Sequence, residues 1–386
     1  MRLLLATNHL GLGGSESYLL TVAEQLDRLG HETRLYAPEP GDGVEVARER
    51  GIAVVGDAGL EEDYDAALVQ DAGVSLRLAD RRPGLPQLFV AHSAMFDLQT
   101  PPQLDGVVGL VVALNERVAN RMRSLATEVE VVRLRQPIDT ARFAPRGALP
   151  DVPRRALLLS NTPNDDRLAL LEAACAEAGI ELARLGGAAG RAADVRPALA
   201  EAEIVIGYGR SVLEAMSFGR AAYVYDWKGR DGWVTPETYP AMEADGFAGG
   251  AAVPGAESAL LAEDLRRYSA AMGPANHDLV VTHHRASAHA QELVGLLGRL
   301  AKPAARPRGE LDEMARLVRL EWRARLEITG LARENDHLRK ELQRERERAD
   351  EAERRVDELP RAYEATASWR LTRPLRALGR LRGRRS

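Results

Sequence analysis

Ile204–Val224 reads IVIGYGRSVLEAMSFGRAAYV: a short apolar run, a Gly-Tyr-Gly-Arg-Ser loop, then a helical pattern that carries Glu214 near its start. A helix leaving a glycine loop presents free backbone N–H groups and the positive end of its dipole, which makes an anion site. The Glu214 carboxylate cannot bind phosphate, but it can accept hydrogen bonds from neighbouring sugar hydroxyls. Together they suit a nucleotide-sugar, with diphosphate on the loop and ribose on Glu214. The alternative is a plain strand–helix unit in which Ser211 and Glu214, at capping-box spacing, do no more than satisfy the helix end.

Other residues carry weaker chemistry. Gly11-Leu12-Gly13-Gly14-Ser15-Glu16 joins the first strand to the first helix, so backbone can approach a ligand there and Ser15 can cap the helix. The loop does not fit the dinucleotide G-x-G-x-x-G pattern with its following acid. His92, in FVAHSAMF, follows an apolar strand and is placed to reach a ligand at its carboxyl end. Arg210 lies inside the glycine loop and can offer a bidentate fork to a diphosphate, with Arg167 a second candidate. Asp63-Tyr64-Asp65 has the form of an Asp-x-Asp metal motif, but it opens a strand and so reads as structural. DWKGRDGWVTP (Asp226–Pro236) has the composition of a binding loop, with Lys228 and Arg230 as possible ligand contacts. His283, His284 and His289 lack a second ligand set and read as surface or interdomain residues. No metal site is expected.

The elements that must position these residues alternate. Arg2–Thr7, Glu32–Ala37, Gly51–Val55, Ala66–Gln70, Gln87–Ala91, Val107–Leu114 and Glu130–Leu134 read as strands, and Ser15–Leu29 as an amphipathic helix. A proline-rich break at Phe143–Pro153 separates a second series. There Arg155–Leu159, Glu181–Leu185, Ile204–Ile206 and Ala221–Tyr225 are strands, while Asp166–Ala178 and His277–Leu300 are helices. Such alternation predicts an α/β fold with two Rossmann-like domains, residues 1–145 and 154–300, whose ligands bind at the carboxyl ends of the strands.

Beyond a linker at Ala301–Arg308 the pattern becomes heptad. The a positions are Met314, Glu321, Ile328, Asn335, Leu342, Ala349 and Val356, and the d positions are Leu317, Ala324, Leu331, Leu338, Glu345, Ala352 and Leu359. All but Glu321, Asn335 and Glu345 are apolar, which predicts a coiled coil over 310–360. Asn335 at an a position favours a parallel two-stranded form and hence a homodimer. The segment 367–386 is a basic amphipathic tail: seven arginines from Arg370 onward, no acid, and Trp369, Leu371, Leu375, Leu378 and Leu381 on an apolar side. Such a segment can rest on an anionic membrane surface.

Composition narrows the classes. At 386 residues the chain is long enough for two domains and an extension, and a net charge of -5 argues against general nucleic-acid binding. Cys175 is alone, so an internal disulfide and a Cys-based zinc site are excluded; its apolar helix pattern predicts an inert buried thiol. No segment reaches the roughly 18 apolar residues of a membrane span. The start, MRLLLATNHLGLGG, reads as a strand and glycine loop rather than a signal peptide. A cytoplasmic protein is expected, with peripheral membrane contact through its tail.

Gly-Tyr-Gly followed by Leu-Glu-Ala-Met-Ser-Phe-Gly resembles the signature of the family 4 retaining glycosyltransferases of the GT-B fold. LGHETRLYAP, the Gly13-Gly14 loop and the hinge-like RQPIDTARFAP (Arg135–Pro145) are similar to that family as well. The resemblance spans about residues 1–300. It implies sugar transfer from a nucleotide-diphosphate donor to a saccharide acceptor, without metal or cofactor. Glu214 would hold the ribose, His92 would contact the donor sugar near its anomeric centre, and Gly13 and Gly14 would face the donor diphosphate. Gly209, Arg210 and Ser211 complete the donor set. Ser-Trp-Arg-Leu-Thr-x-Pro-Leu-Arg resembles the tail of bacterial surface-polysaccharide glycosyltransferases, which implies a lipid-linked glycan as acceptor. Two departures stand out. Ile206 occupies the position of the family's first glutamate, and SNTPNDDRL lacks its arginine–lysine pair. They favour a rival reading, a catalytically weakened binding or scaffold subunit.

Overall fold

The computed structural model describes residues 1–96, 99–125, 128–160, 165–186, 194–225, 229–251, 260–303, 309–364, 366, 368–369 and 372. Most of the basic tail, and the Asp226, Trp227 and Lys228 of the candidate loop, lie outside the described residues. Met1–Arg319 is one compact unit and Leu320–Ser386 another.

The chain begins with β1 (Arg2–Ala6), β2 (His9–Leu10), α1 (Gly14–Arg28), β3 (Glu32–Tyr36), β4 (Glu39–Pro40), α2 (Gly43–Glu49), β5 (Val54–Val55) and β6 (Ala66–Val69). There follow α3 (Ala72–Arg81), β7 (Gln87–Ala91), β8 (Leu110–Ala113), α4 (Glu116–Arg123) and β9 (Val131–Arg133). Seven of these strands form a parallel sheet in the order β5-β3-β1-β6-β7-β8-β9. The inner segments LLLA, AALV, LFVA and LVVA are buried along their whole length, because helices cover both faces of a parallel sheet. Strand order reverses between β1 and β6, so the crevice for a ligand opens above their carboxyl ends.

A second sheet repeats the plan. It is built from β10 (Arg155–Leu159), α5 (Asp165–Ala178), β11 (Glu181–Leu185), α6 (Arg196–Glu201), β12 (Ile204–Gly207), α7 (Arg210–Ser217), β13 (Ala221–Tyr225) and β14 (Arg230–Trp233). The order is β11-β10-β12-β13-β14, with its reversal between β10 and β12. β14 runs antiparallel to β13 and was not expected; Arg230–Trp233 of the candidate loop is this edge strand.

Five helices follow: α8 (Tyr239–Asp245), α9 (Leu261–Leu265), α10 (Met272–His283), α11 (Ala286–Leu297) and α12 (Glu310–Glu364). The single helix expected over His277–Leu300 is therefore two. At the break, hinge backbone replaces the helical ladder: Ile138 N–H donates to the His284 carbonyl at 2.7 Å, and Ala286 N–H donates to the Ile138 carbonyl at 2.9 Å. Val280 of α10 packs into the core of the second sheet, whereas Ala290, Leu293, Leu296 and Leu297 of α11 enter the core of the first.

α12 starts on the first domain. Leu311 and Ala315 are buried in the core beside α3, and Val318 lies against Gly73. Met314 and Leu317, the first a and d positions, are 42% and 53% exposed, so the docking face and the heptad stripe are separate faces of one helix. The remaining described a and d side chains lie on an exposed helix with many i,i+3 and i,i+4 ion pairs. No helix among the described residues is long and apolar enough to cross a membrane.

Ala315 has 0% exposure, so Ala315→Glu places an unpaired charge in a dry core. The expected loss is roughly 3 kcal/mol or more, read by urea denaturation. An unchanged midpoint would show that this part of α12 is not docked in solution.

Candidate functional site

β12 ends at Gly207, where an added Cβ would come 2.7 Å from the Ser211 hydroxyl and 2.9 Å from the Leu159 carbonyl. Gly209 caps α7 with φ +60°, a conformation that favours glycine, and its N–H donates to the Phe247 carbonyl at 2.9 Å. Both glycines of Gly-Tyr-Gly are thus needed by the backbone.

The capping box does not form. The Ser211 hydroxyl donates to the Tyr208 carbonyl at 2.8 Å, and Glu214 pairs with Arg210, whose Nε donates to Oε1 at 2.8 Å. The two side chains are only 9% and 13% exposed. Arg210 also donates from Nη1 to the Pro137 carbonyl at 2.9 Å and from Nη2 to the Thr21 hydroxyl at 3.2 Å. One guanidinium therefore joins α7, the hinge and α1. Burial pushes the Glu214 carboxyl above its ordinary range, and Arg210 opposes that push.

Across the cleft, Gly14 opens α1, and a Cβ there would lie 4.0 Å from the Arg210 Cβ. Gly13 is the N-cap residue in extended backbone, φ −144°. Ser15 does not cap the helix; its hydroxyl donates to Glu16 at 3.0 Å. His92 follows β7 and meets the Tyr18 ring edge-on, centroids 4.9 Å apart. Burial, with help from the Arg210 charge, holds its pKa down to about 3, so it stays neutral at physiological pH. The structure thus brings Gly14 of α1 to Arg210 and Glu214 of α7, and sets His92 against Tyr18 of α1.

Sequence reasoning missed several residues here. The Tyr18 hydroxyl and His289 Nε2 share a 2.9 Å hydrogen bond. His289 and His284 are 5% and 2% exposed; of the two places expected for them they take the interdomain one, with His284 bridging Tyr239 and the Gln136 carbonyl. Asp71, beyond β6, accepts from the Thr7 hydroxyl at 2.9 Å and from Asn8 N–H at 2.7 Å, and burial pushes it up to about 6. Asn8 and Gln70 are 5% and 1% exposed. For Asn8, Gln70 and Asp71 the available signal was position: each stands one or two places beyond the last residue of a strand.

Other candidates are engaged elsewhere. Arg167 donates to the Gly229 carbonyl at 2.8 Å and lies 4.4 Å over the Tyr225 ring. Asp63 pairs with Arg82, and Asp65 accepts from Arg2 N–H at 2.7 Å. Among the described residues no group of three His, Cys, Asp or Glu could hold a metal ion. Ile206 is fully buried in the core with Leu158 and Tyr223, so it supplies packing at the position where the family 4 resemblance calls for a glutamate. Cys175 is 1% exposed and its thiol is pushed up to about 11 by burial, an inert state.

Solved structures share this architecture. Anabaena HepE in complex with UDP and glucose superposes with a TM-score of 0.57 at 11% identity, covering 78% of this chain and 100% of its own. Its UDP-glucose complex gives 0.56 at 12%, again covering 78% and 100%. A glycosyltransferase from Rickettsia africae gives 0.52 at 12%, covering 76% and 97%. The fold is that of the GT-B glycosyltransferases. No family model matches the chain, and no curated protein does.

Two outcomes follow. Arg210→Ala leaves the Glu214 carboxylate buried without its partner and should cost about 3–5 kcal/mol, with Glu214→Gln in the same chain recovering most of it. Equal stability of the two variants would refute the pairing. Asp71 supplies a pH test. Folded, it keeps its proton to about pH 6; unfolded, it releases it near 3.8. Its contribution is therefore full below the unfolded value and drains as pH rises through the folded one. Relative to Asp71→Asn, the wild type should lose roughly 3 kcal/mol over that window, at about 1.4 kcal/mol per unit. A flat difference would place Asp71 in contact with water.

Proposed function

We propose that this chain is a retaining, metal-independent glycosyltransferase, moving a sugar from a nucleotide-diphosphate donor to a lipid-linked surface glycan. The observation that carries this is the Arg210–Glu214 pair at the start of α7, behind a glycine loop and facing the Gly14 end of α1, within a GT-B fold. The N-terminus of α7 supplies backbone donors and a positive dipole end for the diphosphate, with Gly209, Ser211, Gly13 and Gly14 around it. Glu214 accepts the ribose hydroxyls. His92, held neutral, offers a hydrogen bond to the donor sugar without adding charge beside a developing oxocarbenium ion. Attack comes from the leaving-group face, with the donor phosphate assisting and the cleft stabilising the charge that develops.

Three of the five N–H donors of Arg210 go to Glu214, Pro137 and Thr21, so a diphosphate drawing on the same guanidinium would compete with contacts at the hinge and α1. Donor binding would then be felt at the hinge. The HepE structures hold UDP, glucose and UDP-glucose, which makes UDP the first nucleotide to try. The 310–360 stripe serves a parallel homodimer, and the basic tail an anionic inner membrane face where lipid-linked acceptors lie. Buried Ile206 favours a second reading, a nucleotide-binding scaffold subunit without turnover.

Thermal shift with UDP, GDP, ADP and dTDP tests the donor pocket. At about 100 times its dissociation constant, the correct nucleotide should add roughly 2.7 kcal/mol to the wild type and much less to Glu214→Gln. No shift with any of the four would sink the enzyme reading.

A further inference from the structure

A cavity of about 220 Å³ opens at the hinge, and none of the donor-set residues lines it. Arg133 and Arg135 line it from the end of β9 and the hinge, His283 from the end of α10, and Arg285 and Glu292 from the start of α11. α10 packs into the core of the second sheet and α11 into that of the first, so both domains wall this space. The lining carries three guanidiniums against one carboxylate. Glu243 pairs with Arg133 and lies 3.6 Å from Arg135, and Glu116 is 3.5 Å from Arg133. Arg133 is thereby matched. Arg135 shares its acid, and among the described residues the Arg285 side chain has none.

Backbone adds to this positive field. α11 starts with no side-chain cap, and the Ala286 N–H is taken by the Ile138 carbonyl. The first-turn N–H groups of Ser287 and Ala288 have no carbonyl to meet within the helix, and Ala288 lines the cavity. The positive end of the α11 dipole lies at the same place. His283 behaves as a neighbour of cations should. Burial lowers its pKa first and the Arg135 charge lowers it further, against a smaller opposing pull from Glu243.

We propose that this cavity binds a small phosphate-type anion whose occupancy bears on the hinge. Arginine forks and an uncapped helix N-terminus are complementary to phosphoryl oxygens. A cation would be repelled, and an apolar group would leave the guanidiniums unmatched. The volume is below the roughly 300–1,000 Å³ of pockets that enclose a whole drug-sized ligand, which selects phosphate, diphosphate or a small phosphate ester over a nucleotide. Glu292 repels surplus negative charge and can accept from an ester hydroxyl. The link to the hinge is direct. His284 and His289 also line the cavity; His284 Nδ1 donates to the Gln136 carbonyl at 2.7 Å, and His289 bonds to the Arg135 backbone. The next carbonyl along, Pro137, is the one that Arg210 holds. An anion joining Arg135 to Arg285 thus ties α11 to the hinge beside that contact, and favours whichever interdomain angle fits it best.

Calorimetry and phosphorus NMR on the full chain at low ionic strength test this, with inorganic phosphate, inorganic diphosphate and glycerol phosphate as probes and chloride as control. Arg285→Ala should weaken binding about tenfold or more, the loss expected for a charge-assisted hydrogen bond. Glu292→Gln should strengthen it about threefold, since it removes a carboxylate at the solvent-exposed rim. Both side chains are exposed, so without anion both variants should melt with the wild type. Hydrogen exchange at the Ile138 and Ala286 amides should slow when anion is added to wild type and stay unchanged in Arg285→Ala. Tighter binding of glycerol phosphate than of inorganic phosphate would assign the site to an ester, and equal binding to the free ion. Binding indifferent to Arg285→Ala would put the anion elsewhere, at the α7 loop for example, and overturn the proposal. Equally weak binding of phosphate and chloride would do the same, as would hinge exchange that ignores the anion. None of these readings needs a nucleotide, so failure of the chain to bind UDP would strike the enzyme reading and leave the cavity standing.

Discussion

Arg210 is the residue through which the two sheet domains of Met1–Arg319 address each other. Its side chain is nearly buried, and each of its three nitrogens serves a different element: Glu214 on α7, the Pro137 carbonyl at the hinge and Thr21 on α1. A buried guanidinium is tolerated only when its donors are matched, so these contacts constrain one another. Moving α1 away from α7 breaks one of them; a ligand that competes for the guanidinium breaks another. The remainder of the seam is also polar. Arg142 pairs with Glu24, Arg117 with Asp245, and Arg133 with Glu243. Ionic contacts of this kind hold two domains in register without fusing them as an apolar interface would.

Ile138 inserts between α10 and α11 through backbone hydrogen bonds while its side chain enters the core of the second sheet, and His284 and His289, both held to about 3 by burial, brace the hinge as neutral donors and acceptors. Beside the second sheet, Phe247 accepts from Gly209 with φ 55°, a positive value that a bulky residue seldom adopts. The strain falls beside the Gly-Tyr-Gly loop, and strained backbone of this kind persists only where the surrounding contacts fix it.

Much of this was legible in the residues. The apolar runs LLLA, AALV, LFVA and LVVA marked fully buried strands, and Gly-Tyr-Gly before an amphipathic run marked a strand–loop–helix unit with Glu214 at its start. The parts that escaped are those decided by contacts distant in sequence. Nothing near His284 announces a helix break, because the interrupting group is the backbone of Ile138. Ser211 and Glu214 have capping-box spacing, yet Arg210 outcompetes the box by offering a charge in a buried site. The antiparallel β14 follows a loop whose glycines and tryptophan read equally well as a ligand contact.

Local sequence, then, determined the order of strands and helices, the two glycine loops, the inert thiol of Cys175 and the heptad stripe of α12, since each follows from periodicity or from the conformations a residue type permits. Tertiary structure alone decided which polar residues share a site. Tyr18, His92 and His289 lie far apart along the chain and carry no common motif; packing of α1 between the end of β7 and α11 brings their rings together. Likewise Ile206 could have been a site residue by position, but the pleat of β12 turns it into the core. Spacing along a chain specifies what an element can present, and only packing against other elements determines what it faces.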